Sequence, residues 1–231
     1  MHLPVQMPWT ASRLAALAWV AGEIDTFGYL RLGHVFISHM TGNTAVLSIA
    51  LAQRDVTDAL HRGILIPLFF LGGLCGALLV DSADEPRQVS RALVVEALLL
   101  ASFAALDWLG AGTFDRSPGG RVFMLLLLSG SMGLQNAALT RRASRDIHTT
   151  HITGPLTEFA VELAHLTVRR RRHEFDPARA QRLAARLIGF SSGALCGAAL
   201  FTLAPTAAPV AAVGVLLVLV TLTSSRPAAA S

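Results

Sequence analysis

Asp25 stands inside an apolar run spanning about residues 12–35. Gly22 precedes it by three positions and Tyr29 follows by four, so all three share one helical face. A carboxylate at the centre of a membrane helix costs roughly 2.5–3.5 kcal/mol on insertion scales and as a rule faces a pathway or a partner. Asp25 therefore reads as the charged member of a ligand cavity, the competing reading being a structural ion pair with His39 or Arg31. Downstream, Ser38-His39-Met40-Thr41-Gly42-Asn43 combines hydroxyls, an amide and a glycine. Gly42 can interrupt helical backbone, and a helix beginning there offers free N–H groups to an anion or polar ligand. The plainer alternative makes Thr41 an N-cap at the membrane surface.

The same chemistry recurs. Thr150-His151-Ile152-Thr153-Gly154-Pro155 repeats the motif, since 151 − 39, 153 − 41 and 154 − 42 all give 112. Gly133 and Asn136 precede it as Gly22 and Asp25 precede the first, with Gln135 beside Asn136. Gly72-Gly73-Leu74-Cys75-Gly76-Ala77 is echoed by Ser192-Gly193-Ala194-Leu195-Cys196-Gly197-Ala198. Matched landmarks in one order predict a duplicated unit: a first membrane repeat at 1–110, a linker at 111–120 and a second repeat at 121–231. In an apolar chain, paired Gly- or Pro-interrupted segments point to a transporter-like site between repeats.

Other polar residues are less symmetric. Glu158, Glu162, His165 and Arg169 form one helical stripe, whereas 112 positions earlier stand Val46, Ala50 and Gln53. Such a stripe could relay protons or hold a cation; Glu158 is taken as a cavity residue, and Glu96 stands by itself in its segment. His39 and His151 lack metal-site spacing, so no metal is expected. The chain has no Gly-x-Ser-x-Gly elbow, nucleotide loop or His-Glu-x-x-His, so catalytic residues, cofactors and enzyme activity are not expected.

The elements that must position these residues are membrane helices. The chain is 53% hydrophobic and 15% charged over 231 residues, with mean hydropathy +0.54, against about 25% charge in an ordinary soluble domain. Runs such as 122–140 and 188–225 carry no charge, and about 20 apolar residues suffice to cross a bilayer. The expected fold is all-α, a polytopic transmembrane bundle of about 6–8 segments with an internal two-fold repeat, some segments broken. Every fixed positive charge is arginine and lies between or at the ends of apolar runs, so the +4 net charge marks loops rather than nucleic-acid binding. The two cysteines lie within apolar segments and read as packing residues. The first apolar run continues through Glu23 and Asp25 without a cleavage site, which argues against a signal peptide.

Eight segments begin near residues 12, 41, 61, 92, 121, 153, 183 and 207. If all cross, both termini lie on one side, and the arginine distribution places that side in the cytoplasm. The two halves then share one orientation. If segments two and six are half-helices, each half has three crossings and the repeat is inverted.

The runs Gly22-Glu23-Ile24-Asp25 to Tyr29 and Ser38 to Thr44, with Gly133-Leu134-Gln135-Asn136 and 149–154, resemble the two signatures of the YoaK family. The resemblance covers about residues 12–223 and implies a multi-pass protein of the bacterial inner membrane, sometimes labelled a small-molecule transporter. It implies no substrate and no catalytic residue. The leading expectation is a small-molecule permease whose site is lined by Asp25, Thr41, Gly42, Asn43, Gln135, Asn136, Thr153, Gly154 and Glu158. The alternatives are an assembly or partner-binding protein packed through its glycine ladders, and, less favoured, a membrane enzyme acting on a lipid. Expected partners are membrane lipid and an unidentified small molecule, with a homo-oligomer left open and no nucleic acid.

Overall fold

The computed structural model describes residues 10–80, 86–110, 113–140, 150, 152–167 and 172–224. His151, Arg169 and part of the expected linker lie outside these. Helices α1 (Ala11–Arg31), α2 (Met40–Ala52), α3 (Val56–Leu79), α4 (Pro86–Leu109), α5 (Pro118–Thr140), α6 (Thr153–Thr167), α7 (Pro177–Leu203) and α8 (Ala208–Ser224) follow in order, with two short 3₁₀ turns and no strand among the described residues. The expected all-helical membrane bundle is the fold observed.

Local chemistry sets several helix starts. The Thr10 hydroxyl accepts from the Arg13 amide, Asp55 from the Asp58 amide, and Asp176 from Ala178 and Arg179, with Pro177 in the first turn. α3, α4, α5 and α7 are long and apolar enough to cross a membrane. α1 matches them in length but carries Arg13, Glu23, Asp25 and Arg31, and α8 is apolar but shorter. Large apolar side chains such as Phe70, Leu78, Ile188, Leu195 and Leu203 are exposed on the outer surface, as expected where the solvent is hydrocarbon rather than water.

Glycine ladders build the two closest helix pairs. A Cβ added at Gly189, Gly193 or Gly197 would strike the backbone of Ala15, Trp19 or Glu23, and one at Gly22 would strike that of Phe190. α1 and α7 therefore run parallel in near backbone contact, the packing that small residues permit in lipid. A Cβ at Gly72 or Gly76 would strike Gly130 or Leu134, and one at Gly133 would strike Phe69, so α3 and α5 are parallel too. The ladders that might have joined subunits are used inside the chain.

The remaining directions follow from named contacts. Gln135 Nε2 donates to the Leu17 carbonyl while Leu128 lies beside Gly28, so α5 runs antiparallel to α1. Phe27 meets Phe103 and Arg31 meets Asp107, so α4 runs parallel to it. Arg13 Nη2 donates to the Leu222 carbonyl, which brings the end of α8 to the start of α1.

These directions decide what α2 and α6 do. α1 finishes at the end of the bundle where α3 starts, and Arg62 Nη1 donates to the His34 carbonyl there (3.0 Å). α5 finishes at the opposite end, where α7 starts. Neither α2 nor α6 carries the chain across. With 13 and 15 residues they are about 20 and 22 Å long at 1.5 Å per residue, short of a hydrocarbon core roughly 30 Å thick. The bundle has the half-helix geometry, not eight full crossings.

Candidate functional site

The site begins where α1 ends. Leu32 caps the helix, and Gly33 (φ +86°) and His34 (φ 60°) turn the chain back in left-handed conformation. His34 N–H bonds the Tyr29 carbonyl at 2.8 Å, and the Tyr29 ring meets His34 edge-on and lies tilted against Phe36. The connection then descends along α1. Ile37 packs on Gly28, where a Cβ would overlap its side chain, and Ser38 reaches Asp25. That is a return of six residues from Arg31, about 9 Å of helix rise.

Asp25 organises the point of return. Its Oδ1 accepts from the Ser38 amide at 2.7 Å and the Ser38 hydroxyl at 3.1 Å, and its Oδ2 lies 3.4 Å from His39 Nδ1. Asp25 is 4% exposed and Ser38 0%. A buried carboxylate holding a backbone amide and a hydroxyl is a strong anchor, because charge-assisted bonds are about twice as strong as neutral ones. The opposite side of the turn is held by Asn43. Its Oδ1 accepts from the Phe36 amide (3.1 Å) and its Nδ2 donates to the Phe36 carbonyl (2.5 Å). The Ser129 hydroxyl on α5 donates to the Ile37 carbonyl at 3.1 Å. Irregular backbone inside the bundle is thus satisfied by protein groups, as membrane depth demands.

The start of α2 is consequently internal. The His39 ring faces Phe190 of α7, with 6.4 Å between ring centroids. Met40 lines a cleft of about 610 Å³ with Phe69, Gly73, Gly133, Asn136 and Thr140, within the range of small-molecule sites. Asn136 is 8% exposed, and its Oδ1 has no hydrogen-bond partner among the described residues. Asp25 and Asn43 thus hold the turn from which α2 starts, and Asn136 shares a cleft with Met40 in the first turn of that helix.

The other candidates stand differently. Gln135 is buried, and its amide nitrogen bonds the Leu17 carbonyl at 3.3 Å, where it ties α5 to α1. Thr41 is exposed on the first turn of α2. Thr153 and Gly154 are exposed at the start of α6, with open space where a Gly154 Cβ would stand. Glu158 and Glu162 both meet Arg179, at 3.3 and 3.2 Å, and Glu162 also accepts from the Asp176 amide at 3.1 Å. The carboxylate stripe docks α6 on the start of α7, a role invisible without Arg179.

Sequence reasoning passed over Ser38 as a functional residue. The available signal was its place in the repeated motif, where Thr150, also fully buried, occupies the corresponding position. No group of three or more His, Cys, Asp or Glu side chains among the described residues has metal-site geometry.

The model of a protein family described as a protein of unknown function, DUF1275, matches residues 13–222. The chain is similar to the UPF0700 transmembrane protein YoaK of Bacillus subtilis (strain 168), at 31% identity over 154 residues, 65% of this chain and 66% of the relative. It is also similar to the UPF0700 transmembrane protein RA0705 of Rhizobium meliloti (strain 1021), at 28% identity over 146 residues, 63% of this chain and 58% of the relative. The matched part thus spans less than two thirds of each relative's length. No solved structure matches the chain.

Proposed function

The chain belongs to the DUF1275 family of membrane proteins, and from that premise we propose that it is a small-molecule transporter built from two inverted repeats. The observation that carries this reading is the half-helix α2, which starts inside the bundle at Asp25 and Ser38 and opens beside the cleft containing Asn136. Broken helices meeting at a polar site between repeats are the arrangement through which secondary transporters bind substrate.

The pairing pattern supports the repeat at 1–110 and 121–231. Exchanging α1 for α5, α2 for α6, α3 for α7 and α4 for α8 maps α1·α7 onto α5·α3, α2·α3 onto α6·α7, α1·α8 onto α5·α4, and α4·α8 onto itself. Because α1 and α5 are antiparallel, the relating axis lies across the bundle rather than along it. Arginine placement supports a cytoplasmic N- and C-terminus in a bacterial inner membrane. The end that holds both the start of α1 and the finish of α8 carries Arg13, Arg87, Arg91, Arg172, Arg179, Arg182 and Arg186. The opposite end carries Arg31, Arg54, Arg62, Arg116 and Arg121, and of these Arg31 and Arg62 are paired with Asp107 and Asp58.

The test is a thermal-shift screen of purified protein against small metabolites and ions, followed by uptake of any hit into liposomes carrying wild type or Asp25→Asn. A ligand bound only by the folded state raises the melting temperature by mass action. The reading expects a hit whose shift and uptake are lost in a folded Asp25→Asn protein. Uptake that survives unchanged in that variant removes Asp25 from the site. A full screen without any shift turns the weight to the assembly reading.

A further inference from the structure

Glu23 and Glu96 are both 0% exposed, and none of their four carboxyl oxygens has a hydrogen-bond partner among the described residues. They are not scattered. On α1, Glu23, Phe27 and Arg31 succeed one another at four-residue intervals. On α4, Glu96, Leu100, Phe103 and Asp107 fall at i, i+4, i+7 and i+11, one helical stripe. The stripes face each other. Arg31 Nη2 bonds Asp107 at 2.6 Å, and one turn below Phe27 meets Phe103 edge-on at 5.9 Å between centroids. Phe201 of α7 closes the same layer at 6.1 Å from Phe27. One turn further down in this register Glu23 lies level with Leu99, so Glu96 stands within about one helical turn of it in height.

We propose that Glu23 and Glu96 form a proton-binding site between α1 and α4, separate from the Asp25 site and sealed by the Phe27–Phe103–Phe201 layer. A charged carboxylate fully withdrawn from water and left unpaired is prohibitively costly, so such a group takes up a proton instead. Among the described residues, no neighbour pairs a cation with either carboxyl: on α4 itself, Arg87 and Arg91 precede Glu96 by nine and five residues, and Arg91 is exposed. α8 carries no titratable side chain. α5 carries only Arg121, which stands by Gly33 at the far side of the aromatic layer. On α3, the Asp58–Arg62 pair and His61 lie toward that same end, and Cys75 is exposed. α7 brings Cys196 near Glu23, and Arg186 lies ten residues further toward the α1 N-terminal end. On α1 itself, Asp25 is engaged with Ser38 and His39, and Arg13 reaches Leu222.

The proposal does not depend on transport, and its test needs no substrate. Infrared spectra of the full chain in phosphatidylcholine–phosphatidylglycerol liposomes report the carbonyl stretch of protonated carboxyl groups. The expected result is such absorption persisting at neutral pH, with one component lost in Glu23→Gln, another in Glu96→Gln, both in the double variant and neither in Glu158→Gln. If the glutamine variants do not fold, Glu23→Asp and Glu96→Asp are expected to shift the same components. Absence of protonated-carboxyl absorption at neutral pH in wild type overturns the proposal, as does absorption that none of the Glu23 or Glu96 variants alters. Loss of the absorption when sodium replaces choline in the buffer also overturns it, because the pair would then hold a metal cation.

Discussion

Ser38 closes on Asp25 with both its backbone amide and its hydroxyl, thirteen residues further along the chain, and neither group is exposed to solvent. This single relationship turns the end of α1 back into the bundle and sets the height at which α2 begins. Removing the carboxylate leaves two buried donors unsatisfied, at about 1–3 kcal/mol each for incompletely compensated groups. Asp25→Ala should therefore lower stability by about 2–6 kcal/mol. Asp25→Asn keeps an acceptor oxygen and should lose distinctly less. Denaturant or thermal unfolding in detergent measures the difference, and equal losses for the two variants would contradict this account of the turn.

The α1·α7 contact predicts opposite outcomes for two glycines. A Cβ at Gly193 would meet the Trp19 carbonyl, whereas one at Gly214 meets nothing within 4 Å. Gly193→Ala should force the helices apart at a cost of about 1–3 kcal/mol, typical of overpacking. Gly214→Ala should be neutral, or stabilising by up to about 1 kcal/mol through helix propensity. Melting temperatures of the two proteins check this, and a Gly193→Ala protein as stable as wild type would refute the close packing.

Arg31 and Asp107 make a pair that is cheaper to remove than to break. The side chains are 18% and 6% exposed. Arg31→Leu strands the aspartate and should cost about 3 kcal/mol, while the double variant Arg31→Leu/Asp107→Leu should recover much of that loss. A double-mutant cycle on unfolding free energies measures the coupling, and additive losses would show that the two side chains do not interact in solution.

The cleft beside Met40 makes a claim about access. In a Cys75→Ser/Cys196→Ser background, Asn136→Cys should react with a water-soluble thiol reagent, because Asn136 lines the cleft. Ser129→Cys should stay unreactive, since Ser129 is 0% exposed beneath the Ile37 turn. Rates of modification, followed by mass spectrometry, decide it. Equal protection of both positions would mean that the cleft is filled by lipid and closed to water.

The α6 docking contact predicts a local change. Arg179→Ala leaves Glu162, whose side chain is 3% exposed, with the Asp176 amide and with His165 Nδ1 at 3.9 Å. Hydrogen exchange should accelerate across α6 while α1 and α7 keep their protection, the pattern of local opening. Acceleration spread evenly over all helices would mean that the contact supports the whole bundle instead.

Sequence by itself determined the class of fold, because long uncharged runs admit little but helices in lipid. It also located the interrupted segments, because Gly42 and Gly154 recur in one motif at a fixed offset. It marked Asp25 as a buried charge, since its apolar flanks leave it nowhere polar to go. The partners were decided only by tertiary structure. Ser38 lies on the next segment from Asp25, Arg179 on the next helix from Glu158 and Glu162, and Phe103 and Phe201 far from Phe27 in sequence. Helical periodicity says which residues share a face and nothing about which face meets it. The course of α2 was equally undetermined, because a 13-residue apolar helix fits either a crossing or a return. The choice was made by Arg62 at the His34 carbonyl and by the left-handed turn at Gly33 and His34, which bring α3 back to the end where α1 stops.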